Sequence, residues 1–346
     1  MIRVGIAGVT GYTGVELVRL LRRHPEVEVR VGTSEHYQGQ PPDRVYPHLQ
    51  GEAEFPIVAL EPGAFAGCDA VFLALPHGVA GRLAPALVEQ GIRVIDLGAD
   101  FRLRDPAAYQ AWYRQEPPAP DWLRRAVYGL PELFREQIRG AQLVANPGCY
   151  PTACTLAAAP LIVHDLVDRR SLIFDAKSGV SGAGRGLSLG VHFAEVNENF
   201  KAYNIAGAHR HTPEIEQNLT ALAGEPVTVT FTPHLVPMTR GILVTAYFQL
   251  KEPASATQLL DLYRTFYAGE PFVRIRPEGD LPQTKQVWGS NYCDIGLAVD
   301  RRTGRAVVVA AIDNLVKGAA GQAVQNLNLL WGLPETLGLE GLPVYP

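Results

Sequence analysis

Lysine is scarce in this chain: Lys177, Lys201, Lys251, Lys285 and Lys317 are the only ones. The positive charge therefore rests on arginine. Arginine suits bidentate contact with carboxylate or phosphate, although such a bias also arises from codon composition. The net charge is −4 and no basic stripe appears, which argues against a general nucleic-acid binder. Charged residues make up 19% and apolar ones 47%, against a typical charged share of ~25%. That excludes a disordered chain and leaves a globular one with a large core. Cysteine is also sparse. Cys68, Cys149, Cys154 and Cys293 fit the spacing of neither a zinc ribbon nor a disulfide framework. No metal site is expected, and the thiols are expected to be reduced, one of them reactive. No run approaches the ~18 apolar residues of a membrane helix, and the opening Met1–Ile6 lacks the apolar core of a signal peptide. The expectation is a soluble, cytoplasmic protein with no membrane partner. At roughly 100–200 residues per domain, 346 residues point to two domains.

What is present is strand–helix alternation. Ile2–Ala7, Val27–Thr33, Ala70–Leu75 and Arg93–Asp96 read as buried strands, with helices over Val15–Arg23 and Gly78–Glu89. This pattern predicts an α/β, doubly wound parallel sheet. Tyr37–Pro56 and Asp105–Pro120 read as surface loops with local turns. After Asn146 the strands lengthen: Leu172–Lys177, Val227–Thr232, Ile242–Leu250 and Ala306–Ile312. Clean alternation in two of them suits a mixed or antiparallel sheet with one covered face. Gly318–Leu330 is helical by periodicity. The expected division is a Rossmann-type domain over 1–147, an α+β domain over 148–317, and a C-terminal segment over 318–346 returning to the first domain.

Gly8-Val9-Thr10-Gly11-Tyr12-Thr13-Gly14 follows the first strand and opens the first helix. Glycines there let the backbone turn tightly and approach a pyrophosphate, while the helix start offers free N–H groups. Taken alone, such a triplet is also an ordinary tight turn. An acid ending the second strand would clamp a ribose hydroxyl. Here Thr33 and Ser34 stand in its place, with Glu35 slightly late, which favours NADP(H) over NAD. Leu75-Pro76-His77-Gly78 ends another strand and should lie beside the cofactor; His77 reads equally well as a solvated loop histidine. Ser178, Gly179 and Gly182 form a second Gly/Ser-rich turn, close to a nicotinamide or a substrate phosphate.

Val144–Ala153 (VANPGCYPTA) places a thiol where a strand gives way to a helix. A cysteine at a helix N-terminus is stabilised as thiolate by the dipole and the free N–H groups. Cys149 is the candidate nucleophile; Cys68, Cys154 and Cys293 read as structural. A nucleophilic thiol needs a base or cationic partner. His209-Arg210-His211 puts two imidazoles on one face of an extended segment. A solvated basic turn is the plain alternative, and a metal pair lacks a third ligand. Arg102 and Lys317 are candidate anion ligands or salt-bridge partners; Asn146 and Arg210 are further candidate substrate contacts. A dinucleotide turn combined with an activated cysteine suggests reduction of an acyl derivative through a thioester.

The blocks GVTGYTG, LPHG, DLGADFRL, NPGCYPT, KSGVSGAGR, GAHRHTPEI and DNLVKGAAGQA together resemble the N-acetyl-gamma-glutamyl-phosphate reductases, in family order from first strand to last helix. The resemblance implies NADPH-dependent reduction of N-acetylglutamyl 5-phosphate to the semialdehyde with phosphate release, in arginine biosynthesis. It implies a plan like that of aspartate-semialdehyde and glyceraldehyde-phosphate dehydrogenases. It implies Cys149 as nucleophile, His209 as the proton-transfer histidine with His211 close behind, and Asn314 at the nicotinamide amide. It also implies a homotetramer or homodimer acting on a small acyl phosphate. Two rivals stand beside it. One is the lysine-pathway relative acting on a carrier-bound 2-aminoadipyl phosphate; the other is an NADP-sensing regulator without chemistry.

Overall fold

The computed structural model describes residues 1–345. They form two compact units, one of Met1–Pro147 with Ala319–Glu340, the other of Gly148–Gly318 with the chain from Gly341 onward.

The first unit is a seven-stranded parallel sheet: β1 (Ile2–Ala7), β2 (Val27–Thr33), β3 (Ile57–Val58), β4 (Ala70–Leu73), β5 (Arg93–Asp96), β6 (Val127–Tyr128) and β7 (Leu143–Ala145). The strand order is β3-β2-β1-β4-β5-β7-β6. Every pairing is parallel, so each connection must cross over a face. Helices α1 (Tyr12–Leu21), α2 (Ala80–Glu89), α3 (Pro106–Tyr113) and α4 (Pro131–Arg139) make or flank those crossings. The strand order reverses between β1 and β4, which is where open α/β sheets bind ligands. Helix α3 corrects the expectation of a loop over Asp105–Pro120. Asp105 caps it by accepting from the Ala107 N–H at 3.0 Å, and Pro106 takes the first position, where a missing N–H is harmless.

The second unit holds β8 (Leu172–Ser178), β9 (Lys201–Ala202), β10 (Val229–Leu235), β11 (Ile242–Gln249), β12 (Val273–Ile275), β13 (Cys293–Asp300) and β14 (Arg305–Ile312). Their order is β12-β13-β14-β11-β8-β10-β9. The sheet is mixed: β8 with β10 and β12 with β13 are parallel, the rest antiparallel. Strict alternation buries Leu172, Phe174 and Ala176 on β8 and Ile242, Val244, Ala246 and Phe248 on β11. Helix α5 (Cys149–Val163) packs on β11 and β14, and beside α6 (Thr212–Ala223). Helix α7 (Ala256–Phe266) starts with a reciprocal Ser255–Gln258 capping box. Tyr263 and Tyr267 donate to the Ala157 and Leu156 carbonyls, fixing the middle of α5.

The last helix, α8 (Gly321–Leu330), belongs to the first unit and packs on α1 and α4. All ten of its residues are buried, polar ones included. Gln322 and Asn326 donate to the Gly129 carbonyl at 2.8 and 2.9 Å, and Asn326 donates to Asn146 Oδ1 at 3.0 Å. Such pairing removes the cost of burying the amides. Among the described residues no helix is long and apolar enough to cross a membrane.

Candidate active site

In the first unit, Gly8 runs at φ +78°, and a Cβ there would sit 2.3 Å from the Ala74 carbonyl oxygen. A Cβ at Gly14 would lie 2.4 Å from the Gly8 oxygen. Both positions admit only glycine, because β1, the turn and α1 are in backbone contact. At Gly11 the nearest atom is 3.5 Å away, so the middle of the turn stays open for a ligand. Thr33 Oγ1 accepts from the Gly8 N–H at 3.3 Å, and Thr10 and Ser34 share a hydroxyl contact at 2.9 Å. Tyr12 and Thr13 are on the outer side of the helix start, at least partly exposed. The cradle fits a dinucleotide pyrophosphate, and the Thr33/Ser34 edge carries no acid.

Leu75, Pro76, His77 and Gly78 follow β4 directly beside this turn, where Ala74 N–H bonds the Ala7 carbonyl at 2.9 Å. His77 Nδ1 is 2.8 Å from Asp100 Oδ1, and the Tyr109 hydroxyl is 3.3 Å from Nε2. Asp100 also accepts from the Gly78 and Gly81 N–H groups at 2.7 and 2.8 Å. Burial works to raise its carboxyl, yet His77 and these N–H groups hold it below the usual range. Neighbouring Asp96 is pushed up to about 7, by burial first and then by the Asp100 charge. Arg102 is buried and donates to the Asn146 and Leu97 carbonyls at 2.9 and 2.8 Å. Asn146 is fully buried and donates to the Ala319 carbonyl at 3.1 Å.

In the second unit, Cys149 is the first residue of α5 and is partly exposed. The first-turn N–H groups of a helix have no intrahelical acceptor, and Pro151 contributes none. The amides of Cys149 and Tyr150 therefore face outward at the positive end of the dipole. Gly148, the cap residue, donates to Glu214 Oε1 at 2.8 Å, and Glu214 is fully buried on α6. This bond ties the helix start to α6. Gly318 closes the opposite side: a Cβ there would sit 2.8 Å from the Cys149 Cβ.

His209 and His211 are both buried, with ring centroids 4.8 Å apart. The Tyr150 ring touches both, at 5.8 and 6.0 Å, and Tyr203 and Phe231 close on His209 at 5.5 and 5.2 Å. Tyr150, next in chain to Cys149, thus joins the helix start to the histidine pair. Burial, then the Arg210 charge, pulls His209 down to about 4. The His211 N–H donates to His209 Nδ1 at 3.0 Å, so the neutral ring carries its hydrogen on Nε2. The Tyr203 hydroxyl donates to that of Tyr150 at 3.3 Å, which donates to the His234 carbonyl at 3.2 Å. Arg210 itself is exposed.

The remaining candidates sit deeper. Ser178 and Gly179 are buried at the end of β8, and Gly182 is exposed. Asn314 is 2% exposed; it accepts from the Gly241 N–H at 2.7 Å and donates to Ser181 Oγ at 3.0 Å. It thereby fastens the Gly/Ser turn. Lys317 is fully buried in a π-helical turn, its Nζ 5.6 Å from the Phe272 ring centroid. Sequence reasoning missed Glu214, Tyr203, Phe231 and Gly318. Only Glu214 carried a local signal, lying within the HTPE helix start. No group of three metal-ligating side chains occurs among the described residues.

A family model described as "Semialdehyde dehydrogenase, NAD binding domain" matches residues 3–141, and one described as "Semialdehyde dehydrogenase, dimerisation domain" matches 149–314. The chain is 68% identical over 346 residues to an N-acetyl-gamma-glutamyl-phosphate reductase of Symbiobacterium thermophilum, covering 100% of this chain and 99% of the relative. It is 58% identical to the protein of that name from Pelotomaculum thermopropionicum, with the same coverage. Among solved structures, aspartate semialdehyde dehydrogenase II of Vibrio cholerae complexed with ASA matches at a TM-score of 0.73 and 18% identity, covering 96% of this chain and 98% of that one. The Candida albicans aspartate semialdehyde dehydrogenase with NADP matches at a TM-score of 0.72 and 18% identity, with the same coverage. At that identity the structures speak for the fold alone. With two reductase relatives matched end to end and both semialdehyde dehydrogenase models in place, the chain belongs to the N-acetyl-gamma-glutamyl-phosphate reductase family.

Proposed function

We propose that this chain reduces N-acetyl-L-glutamyl 5-phosphate to N-acetyl-L-glutamate 5-semialdehyde, releasing phosphate, as a step of arginine biosynthesis. The observation that carries the mechanism is a partly exposed thiol at the start of α5, joined through Tyr150 to a buried histidine pair. Cys149 Sγ attacks the acyl carbon, the carbon–oxygen bond to phosphate breaks, and a thioester forms. The Cys149 and Tyr150 amides stabilise the oxyanion of each tetrahedral state. His209 is a hydrogen-bond donor through Nε2, because its Nδ1 already accepts from His211 N–H. His211 takes the thiol proton. When bound in the first unit, NADPH supplies one hydride, which brings the acyl carbon to the aldehyde level. The carbon–sulfur bond then breaks, returning the thiolate and releasing the semialdehyde. The open Gly11 side of the turn would hold the pyrophosphate, and the acid-free Thr33/Ser34 edge suits a 2′-phosphate.

Mass spectrometry of enzyme mixed with the acyl phosphate and no cofactor tests this reading. An acetylglutamyl adduct on the Cys149 peptide is expected. Its absence on a protein that still turns over would overturn the covalent mechanism. A parallel assay with the 2-aminoadipyl compound, expected to be a poor substrate, tests the lysine-pathway rival.

A further inference from the structure

Segment 184–206, between β8 and α6, carries a dense group of exposed apolar side chains. Leu187 is fully exposed, and Leu189, Phe193, Phe200 and Ile205 are 74%, 77%, 58% and 52% exposed. Isolated exposed apolar residues need no explanation, but a contiguous group of this kind marks a contact surface. The backbone points the same way. Glu198, Asn204 and Ala206 all run at positive φ (59°, 45° and 56°), and only asparagine tolerates that region easily. Each such residue costs on the order of 1–2 kcal/mol and persists where surroundings hold it. Within the chain little holds this segment: β9 is only two residues long, pairs with β10 alone, and forms the outer edge of the sheet.

The charged residues of the segment are Arg185, Glu195, Glu198 and Lys201, which balance. Neither an anionic membrane nor a nucleic acid is favoured by that pattern. An apolar, charge-balanced patch is self-complementary, as a two-fold contact requires, and it lies inside the region matched by the dimerisation-domain model.

We infer that segment 184–206 is a contact surface for a second copy of this chain, and that the contact holds Tyr203 and His209 in place. The link to the site is direct. Tyr203 follows β9, donates to the Tyr150 hydroxyl at 3.3 Å, and lies against the His209 ring. Docking a second copy on Phe193, Phe200 and Ile205 fixes the two flanks of that tyrosine. The inference rests on the proposed roles of Tyr150 and His209 only for this coupling, not for the contact itself.

Sedimentation equilibrium over a hundredfold concentration range tests the contact, comparing wild type with Leu189→Ser/Phe193→Ser. Both side chains face solvent, so the double variant removes no core packing. Wild type is expected to associate and the variant to dissociate at least tenfold more readily. Leu281→Ser, at 45% exposure on the same unit, is expected to associate as wild type does. A variant that associates like wild type, or a wild type that stays monomeric throughout, overturns the inference. The coupling is read on the dissociated variant by the alkylation rate of Cys149 and by kcat, both expected to fall and to recover as protein concentration rises. An unchanged mass with an altered KM for the acyl phosphate makes the segment a substrate cover and also overturns it. The adduct test on wild type is unaffected by any of these outcomes, so the two readings fail separately.

Discussion

Gly318 and Cys149 are in van der Waals contact, and the missing side chain of the one makes room for the sulfur-bearing carbon of the other. A Cβ on Gly318 would stand 2.8 Å from the Cys149 Cβ and 3.2 Å from its Cα. Neither atom is the end of a flexible chain, so the start of α5 must shift. Small displacements of a nucleophile cost up to about a hundredfold in rate. Gly318→Ala is therefore expected to lower kcat tenfold or more while cofactor affinity, measured by fluorescence titration, stays within twofold. A wild-type kcat in a folded Gly318→Ala protein would count against this packing.

The two thiols of α5 should respond differently to iodoacetamide. Cys149 sits at the partly exposed helix start, whereas Cys154 is fully enclosed and its thiol is pushed well above the ordinary value by burial, with Cys149 adding to it. Peptide mapping over time is expected to show carboxymethylation of Cys149 in step with loss of activity. Cys154 should label only as the protein unfolds. Equal rates at the two positions would contradict the geometry.

Acid should act on the second unit through His209. Its ordinary value of 6.5 falls to about 4 in the fold, by burial first and then by Arg210. Between those values the unfolded chain binds a proton that the folded one refuses, so stability drops as pH falls from 6.5 toward 4. The full effect is about 3 kcal/mol. In urea titrations His209→Gln is expected to lose less stability than wild type across this window. The same slope in both proteins would remove His209 as the cause.

Asp96 in the first unit works in the opposite direction. Its carboxyl rises from 3.8 to about 7 through burial and the neighbouring Asp100 charge. The folded chain holds this proton where the unfolded chain has released it. Stability from this group is present at low pH and is lost as pH rises through the window up to about 7. Asp96→Asn, which cannot ionise, is expected to be relatively more stable than wild type at pH 8 than at pH 5, judged by thermal midpoints. A constant difference between the two pH values would refute it.

The chemistry was legible in the sequence where it lies in short contiguous blocks. The glycine turn and the cysteine at a helix start are local geometries, and both stand where the residue pattern puts them. The parallel sheet was legible because its strands are buried on both faces and read as unbroken apolar runs. Helix α3 was missed although Asp105-Pro106 is a good start signal, since its later residues are mixed in character. The partners of the thiol were not legible, because the contacts are long-range. Gly148 meets Glu214 across 66 residues, and His209 meets Phe231 through the sheet. Asn314, Lys317 and Arg102 looked like ligands because polar residues at strand ends usually face solvent. Here the fold buries them, with Asn314 fastening a turn and Arg102 binding backbone carbonyls.

The first unit is assembled from two stretches of chain separated by more than the length of an ordinary domain. Its buried Gly129 carbonyl and Asn146 amide find their partners on α8, whose residues are made last. A ribosome that has released only the N-terminal sheet has therefore released an unfinished object, with a polar seam awaiting a helix still to be translated. Cofactor binding to the nascent chain has to wait for termination, and truncation behind Gly318 should damage the nucleotide half of the enzyme although every residue of its glycine turn is intact.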